Sequence, residues 1–191
     1  MTGDPAISAT HERRRPPLDL HALLRERVRD VVDYPKPGIV FKDMTPLFAD
    51  HVAFAGAVDA VVSHHGRGTV DKVVGIEARG FILAAPIAYH FGAGFVPVRK
   101  EGKLPGATLT ASYALEYGTA ALEVHWDAFA PGDRVLVVDD VLATGGTVSA
   151  TADLVRRAGG DVVGVSVLLE LAFLRGRERL SDLDVQALLT L

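Results

Sequence analysis

Among its 191 residues the chain has no cysteine, which excludes disulfides and thiolate metal sites and agrees with a reducing compartment. It has no run approaching the roughly 20 apolar residues that span a bilayer. The polar start, Met1 to Arg15, lacks the apolar centre of a signal peptide. A cytoplasmic location without a membrane partner is therefore expected. Basic charge is not in excess: Lys plus Arg number 20 against 24 for Asp plus Glu, for a net charge of -4. No broad positive field exists for nucleic acid or anionic lipid, so a phosphate ligand must be held by a locally built site. Two common phosphate motifs are also missing. There is no G-x-x-x-x-G-K-[ST], and no G-x-G-x-x-G follows a strand, so neither a P-loop nucleotide site nor a nicotinamide site is supported.

What is present is ordinary globular material. Hydrophobic residues make up 49% and charged residues 23%, enough to bury a core at a length suited to one domain. Residues 1–17 mix Gly, Pro, Ser and Thr with the basic run Arg13-Arg14-Arg15 and are expected to form a disordered tail. Residues 18–191 then form a single domain. The spacing of Leu20, Leu23, Leu24, Val28 and Val31 predicts a helix over 18–32, ended by Pro35-Lys36-Pro37-Gly38. A loop from Ile39 to Phe48 follows. Helices are expected at Ala53–His64, Arg79–Phe91 and Thr147–Ala158, and short buried strands at Val70–Ile76, Gly94–Val98, Val135–Val138 and Val162–Leu169. This alternation implies an α/β fold with a parallel sheet covered by helices on both faces. Leu109–Tyr117 and Ala120–His125 read as extended segments around Gly118, forming a hairpin or a long projecting loop. The adjacent His64 and His65 point about 100° apart on a helix and are read as exposed polar positions rather than metal ligands.

The most informative stretch is Val135 to Thr147: a buried strand, two carboxylates at its carboxyl end, a Thr-Gly-Gly-Thr turn and a helix start. Ligands of open parallel sheets bind outside the carboxyl ends of strands. Glycines let backbone amides approach an anion, and a helix amino terminus adds unpaired N–H groups with a favourable dipole. Ala143, Thr144, Gly145, Gly146 and Thr147 therefore form a phosphate cradle. Asp139 and Asp140 would repel phosphate but suit ribose hydroxyls or a hydrated Mg²⁺. A sugar phosphate with its metal fits both halves.

That string resembles the phosphoribosyl pyrophosphate (PRPP) motif of type I phosphoribosyltransferases. The stretches 33–43, 75–81, 99–106 and 111–118 are similar, in the same order, to segments of the adenine branch of that family. The resemblance covers about Leu18 to Leu180. It implies a Rossmann-like, mostly parallel sheet flanked by helices, with an amino-terminal base-binding hood and a mobile catalytic loop. The implied reaction joins adenine to PRPP, giving AMP and pyrophosphate in purine salvage, with Mg²⁺ as cofactor and a homodimer as the assembly. No metal ligand within the protein is implied directly; Mg²⁺ arrives with PRPP, water-bridged to Asp139 and Asp140.

The resemblance further implies that Val40, Phe41 and Lys42 meet adenine, largely through main-chain groups. Lys42 stands where the family often has Arg, which matters only if the guanidinium plane does. Glu77, Ala78, Arg79, Lys100 and Lys103 fall at pyrophosphate positions, with a cis peptide implied between Glu77 and Ala78. Glu116, with Arg79, is the candidate catalytic residue, handling the proton on the adenine imidazole ring. Leu169 to Glu178 resembles the family's carboxyl-terminal segment; it is read either as helping to close the base pocket or as simple packing of Leu171 and Phe173, the second being favoured. Two alternatives remain: transfer to hypoxanthine, guanine or xanthine, and a non-catalytic PRPP sensor that binds DNA, which the acidic balance disfavours.

Overall fold

The computed structural model describes residues 19–114 and 119–191. The tail expected at 1–17 and the tip of the 109–125 projection, including Glu116, lie outside the described residues.

The first helix, α1 (Leu20–Glu26), is shorter than its apolar spacing suggests. Asp19 caps it by accepting from Ala22 N at 3.1 Å. The rest of the expected helix is instead strand β1 (Arg29–Val32), and the expected loop contains β2 (Val40–Asp43) and α2 (Thr45–Ala49). The two strands form an antiparallel hairpin with Arg29 opposite Asp43 and Asp30 opposite Lys42. Both of these cross-strand pairs are ionic, Arg29–Asp43 at 2.5 Å and Lys42–Asp30 at 2.7 Å. Val28 and Val31 keep helical spacing by coincidence. The β-branched pair Val31-Val32 and the complementary charges on the facing strand decide for a hairpin.

The remaining strands build one seven-stranded sheet in the order β5-β6-β4-β3-β7-β8-β9. These are β3 (Lys72–Ile76), β4 (Gly94–Lys100), β5 (Thr108–Ala114), β6 (Thr119–His125), β7 (Arg134–Leu142), β8 (Asp161–Glu170) and β9 (Val185–Thr190). From β4 through β9 neighbouring strands are parallel, while β5 and β6 attach as an antiparallel hairpin on the β4 edge. The hairpin reading of 109–125 therefore holds for the described part of that segment. Strand β9 has no counterpart in the sequence reading. Its apolar residues follow Asp182-Leu183-Asp184 in a stretch that shows no clear period, and pairing with β8 makes it a strand.

Helices α3 (His51–His65) and α4 (Gly80–Phe91) pack on one face of the sheet and α5 (Gly146–Arg157) on the other. Strand β7 serves both layers by alternation. Leu136 and Val138 join the core under α3 and α4, and Val135 and Val137 the core under α5. All four are buried to 1% exposure or less, so truncating Leu136 to Ala should cost roughly 2–5 kcal/mol.

His65 departs from its expected exposure. Its Nε2 lies 2.9 Å from Ser166 Oγ on β8, and burial pushes its pKa below the ordinary histidine range. Gly164 makes room for that ring, since a Cβ there would come within 2.7 Å of it. His64 is the exposed member of the pair, and among the described residues no cluster of His, Cys, Asp and Glu is arranged to hold a metal.

Candidate active site

Strands β3 and β7 are parallel neighbours, so the loops leaving their carboxyl ends face each other. The β1–β2 hairpin overhangs them. Together they enclose a cavity of about 460 Å³ lined by Val40, Phe41, Lys42, Glu77, Ala78, Arg79, Asp139, Asp140, Ala143 and Thr147 among others. Ten residues singled out from the sequence thus meet at one cavity, from three separate stretches of chain.

On the hood side, Lys42 directs its ammonium to Asp30 and not into the cavity. Phe41 packs edge-on against Tyr34, with ring centroids 5.2 Å apart. The hairpin is stiffened at its base by Asp43, which accepts from Arg29, from Thr45 N and from Thr45 Oγ1. Those bonds, led by Arg29, hold its carboxyl down at about 2.

The loop after β3 carries the cis Glu77–Ala78 peptide that the resemblance implies. Arg79 spans the cavity. Its guanidinium carbon lies 5.1 Å over the Phe41 ring, and its Nε lies 2.5 Å from Asp140 Oδ2. The Arg79 contact is one of charge without hydrogen-bond alignment, so the buried Asp140 Oδ2 still has no hydrogen-bond donor. Asp139 and Asp140 are 8% and 5% exposed. Burial, followed by the neighbouring Asp140 charge, raises the Asp139 carboxyl well above the usual range. Burial also raises Asp140, with Arg79 opposing. Asp139 Oδ1 accepts from Asp140 N at 2.9 Å, which leaves Asp140 Oδ2 as the buried acceptor open to a hydroxyl donor.

The cradle itself turns through Gly145 at φ +79°, and α5 begins at the next residue. Ala143 and Thr147 line the cavity, while Thr144, Gly145 and Gly146 complete the turn without lining it. Gly80 escaped the sequence reading as a site residue. A Cβ there would sit 2.9 Å from Asp139 Oδ1, so only glycine lets the start of α4 press against the carboxylates. Tyr113 and Val141 also line the cavity without having been predicted to, and Leu171 lines it in accord with the less favoured reading of its segment. Leu171 is therefore a wall of the site. Phe173, expected to pack beside it, is 71% exposed. Phe173 sits in the short 3-10 turn Ala172–Leu174, which Arg175 ends at φ +56°.

Lys100, the last residue of β4, and Lys103, on the exposed turn after it, lie outside the cavity lining. That turn is anchored from below. Glu77 accepts from Lys100 N at 3.1 Å and Arg99 Nε at 3.2 Å, and the buried Glu123 accepts from Lys103 N at 2.7 Å and Leu104 N at 2.6 Å. Neither ammonium is in an ion pair among the described residues. Mg²⁺ suits this donor set: hard carboxylate oxygens, one of them buried without a donor, and, among the described residues, no protein cage that would take the ion alone.

An α/β sheet with paired carboxylates and an anion turn at the end of one central strand defines a sugar-phosphate transferase, and a Phosphoribosyl transferase domain matches residues 48–187. The adenine phosphoribosyltransferase of Acidothermus cellulolyticus is 63% identical over 174 residues, which span 91% of this chain and 98% of that protein. The crystal structure of the Rhodothermus marinus adenine phosphoribosyltransferase aligns with a TM-score of 0.86 at 51% identity, covering 90% of this chain and 98% of that one. The Saccharomyces cerevisiae enzyme, complexed with an imino-altritol bisphosphate and adenine, aligns with a TM-score of 0.84 at 35% identity, covering 88% and 98%. The chain belongs to the adenine phosphoribosyltransferase family.

Proposed function

We propose that this chain converts adenine and PRPP to AMP and pyrophosphate, a pentosyl transfer that salvages the free base. The supporting observation is a single cavity in which an aromatic hood, Arg79 and a carboxylate–phosphate-turn motif face one another at distances a nucleotide can bridge. Val40, Phe41 and the main chain of Lys42 contribute the base wall. Asp139 and Asp140 accept from the ribose hydroxyls, and Ala143 to Thr147 hold the 5′-phosphate. A ring nitrogen of adenine forms the new bond to C1 as the C1–oxygen bond to pyrophosphate breaks, and the base loses its proton.

Each demand of that displacement has a candidate in the chain. Arg79, with Lys100 at the end of β4 and Lys103 on the turn after it, neutralises charge building on the departing pyrophosphate. Bound Mg²⁺ adds Lewis-acid neutralisation of the same phosphates when present. The hood and the cradle hold nucleophile and C1 in line, which supplies much of the rate. Glu116, between β5 and β6 in sequence, is the candidate to take the base proton.

The protein is read as a cytoplasmic homodimer. Ile82, Pro86 and Tyr89 recur along one side of α4, an apolar stripe suited to a second copy. Turnover of a base panel (adenine, hypoxanthine, guanine, xanthine) with Mg-PRPP tests the substrate assignment. AMP as the main product is expected, and a purine other than adenine turning over faster would overturn it.

A further inference from the structure

The segment following β8 touches the phosphate turn backbone to backbone, and nothing in the chemistry assigned above uses that contact. A Cβ on Gly176 would overlap the Ala143 carbonyl oxygen and come within 2.9 Å of Gly145 N. Reciprocally, a Cβ on Gly145 would overlap the Gly176 carbonyl oxygen. Gly176 is buried, and it is absent from the residues of positive φ, so the obstacle to a side chain there is space and not torsion. The two glycines permit main chain to lie on main chain.

Something must press Gly176 into that position, since close backbone apposition without hydrogen bonds has little attraction of its own. The next residue supplies it. Arg177 reaches back to the buried Glu170 at the end of β8, with Nη2–Oε2 at 2.5 Å and Nε–Oε1 at 3.0 Å. Its Nη1 also donates to the Val185 carbonyl at the start of β9, at 2.6 Å. A two-pronged bond to one carboxylate plus a third to backbone fixes a guanidinium in position and direction. Strands β8 and β9 thereby hold the segment rigidly against the turn.

We propose that Gly176, clamped by the Glu170–Arg177 pair, is a positioning residue that sets the shape of the 143–146 turn and through it the affinity for the 5′-phosphate. The inference rests on the function proposed above. Amides recognise an anion only when held within about half an ångström of the productive geometry, and α5 starts inside this turn. A displaced turn moves the phosphate donors and the helix amino terminus together. The adenine wall on β2 belongs to a different element and stays in place.

The test is steady-state kinetics with PRPP and adenine varied separately, plus AMP binding by calorimetry, on Gly176→Ala and Arg177→Lys. Gly176→Ala is expected to raise KM for PRPP and Kd for AMP about ten-fold or more, with KM for adenine within about two-fold. Arg177→Lys keeps the charge but loses the fork, so the same selective rise is expected at a few-fold. A contact that is only structural would lower kcat and the melting temperature and leave both KM values alone, and that result overturns the proposal. Equal rises in both KM values overturn it too. If Gly176→Ala does not fold, an unchanged PRPP KM in Arg177→Lys is decisive against it. Failure of the wild-type protein to make AMP would instead reject the proposed function, and it is read before any variant.

Discussion

Arg79 reaches from the loop after β3 to within 2.5 Å of Asp140 at the end of β7, so a cation assigned to pyrophosphate rests on a carboxylate assigned to ribose. In the free protein each neutralises the other. Under the proposed function, substrate would offer hydroxyl donors to Asp140 and a richer anion to Arg79.

Substitution of either member tests this. Asp140→Asn should weaken Mg-PRPP binding, and Arg79→Ala should lower kcat/KM by about 10²-fold, because each leaves a charge or an orbital site unmatched. The double variant should lose less than the product of the two effects, since contacting residues are not additive. Calorimetry on Asp140→Asn that returns wild-type affinity would remove it from the site.

The buried carboxylates also predict a pH dependence of stability. Asp139 has a raised pKa when folded, so its favourable contribution is full below the ordinary carboxylate pKa and is lost as pH rises through the folded value. Near pH 8 the free protein carries that penalty. Asp139→Asn should therefore melt higher at pH 8, by about 2–4 °C for each kcal/mol relieved, with the gain shrinking toward pH 4. Asp43 and Asp71 have lowered pKa values and act in the opposite sense, but both proteins share them. Scanning calorimetry at the two pH values decides; an equal gain at both would refute the titration account.

For Lys42, the bond of its ammonium to Asp30 predicts that the side chain matters little to the base. Asp30 is largely exposed, and exposed pairs contribute about 0–1 kcal/mol. Lys42→Met should leave the adenine KM within about three-fold. A rise beyond about ten-fold, or 1.4 kcal/mol, would mean that the side chain itself touches adenine.

Glu116 is tested by the split between chemistry and binding. Glu116→Ala should lower kcat by about 10²–10⁴, the usual range for a general acid or base, and leave PRPP affinity nearly unchanged. An unaltered kcat would take Glu116 out of the mechanism.

The legible parts of the chain were those in which local chemistry and tertiary role coincide. Val135 to Thr147 reads as strand, carboxylates, turn and helix because each residue's own preference matches its final environment, and the structure keeps it so. The hairpin of β1 and β2 was read as helix then loop because Val28 and Val31 satisfy a helical period, while the ion pairs that decide for a strand join residues 12 and 14 apart. Strand β9, the burial of His65 against Ser166, and Leu171 as a wall of the cavity depend likewise on partners far along the chain.

By itself, then, the order of residues determined the alternating α/β layers, the anion turn and the two acids beside it, because short-range spacing and glycine's backbone freedom dictate all three. Only the folded molecule decided that Arg79 pairs with Asp140, that Lys42 turns away toward Asp30, and that Gly176 lies on the phosphate turn. Those are contacts between surfaces brought together by sheet order, and a local pattern carries no record of which strand becomes its neighbour.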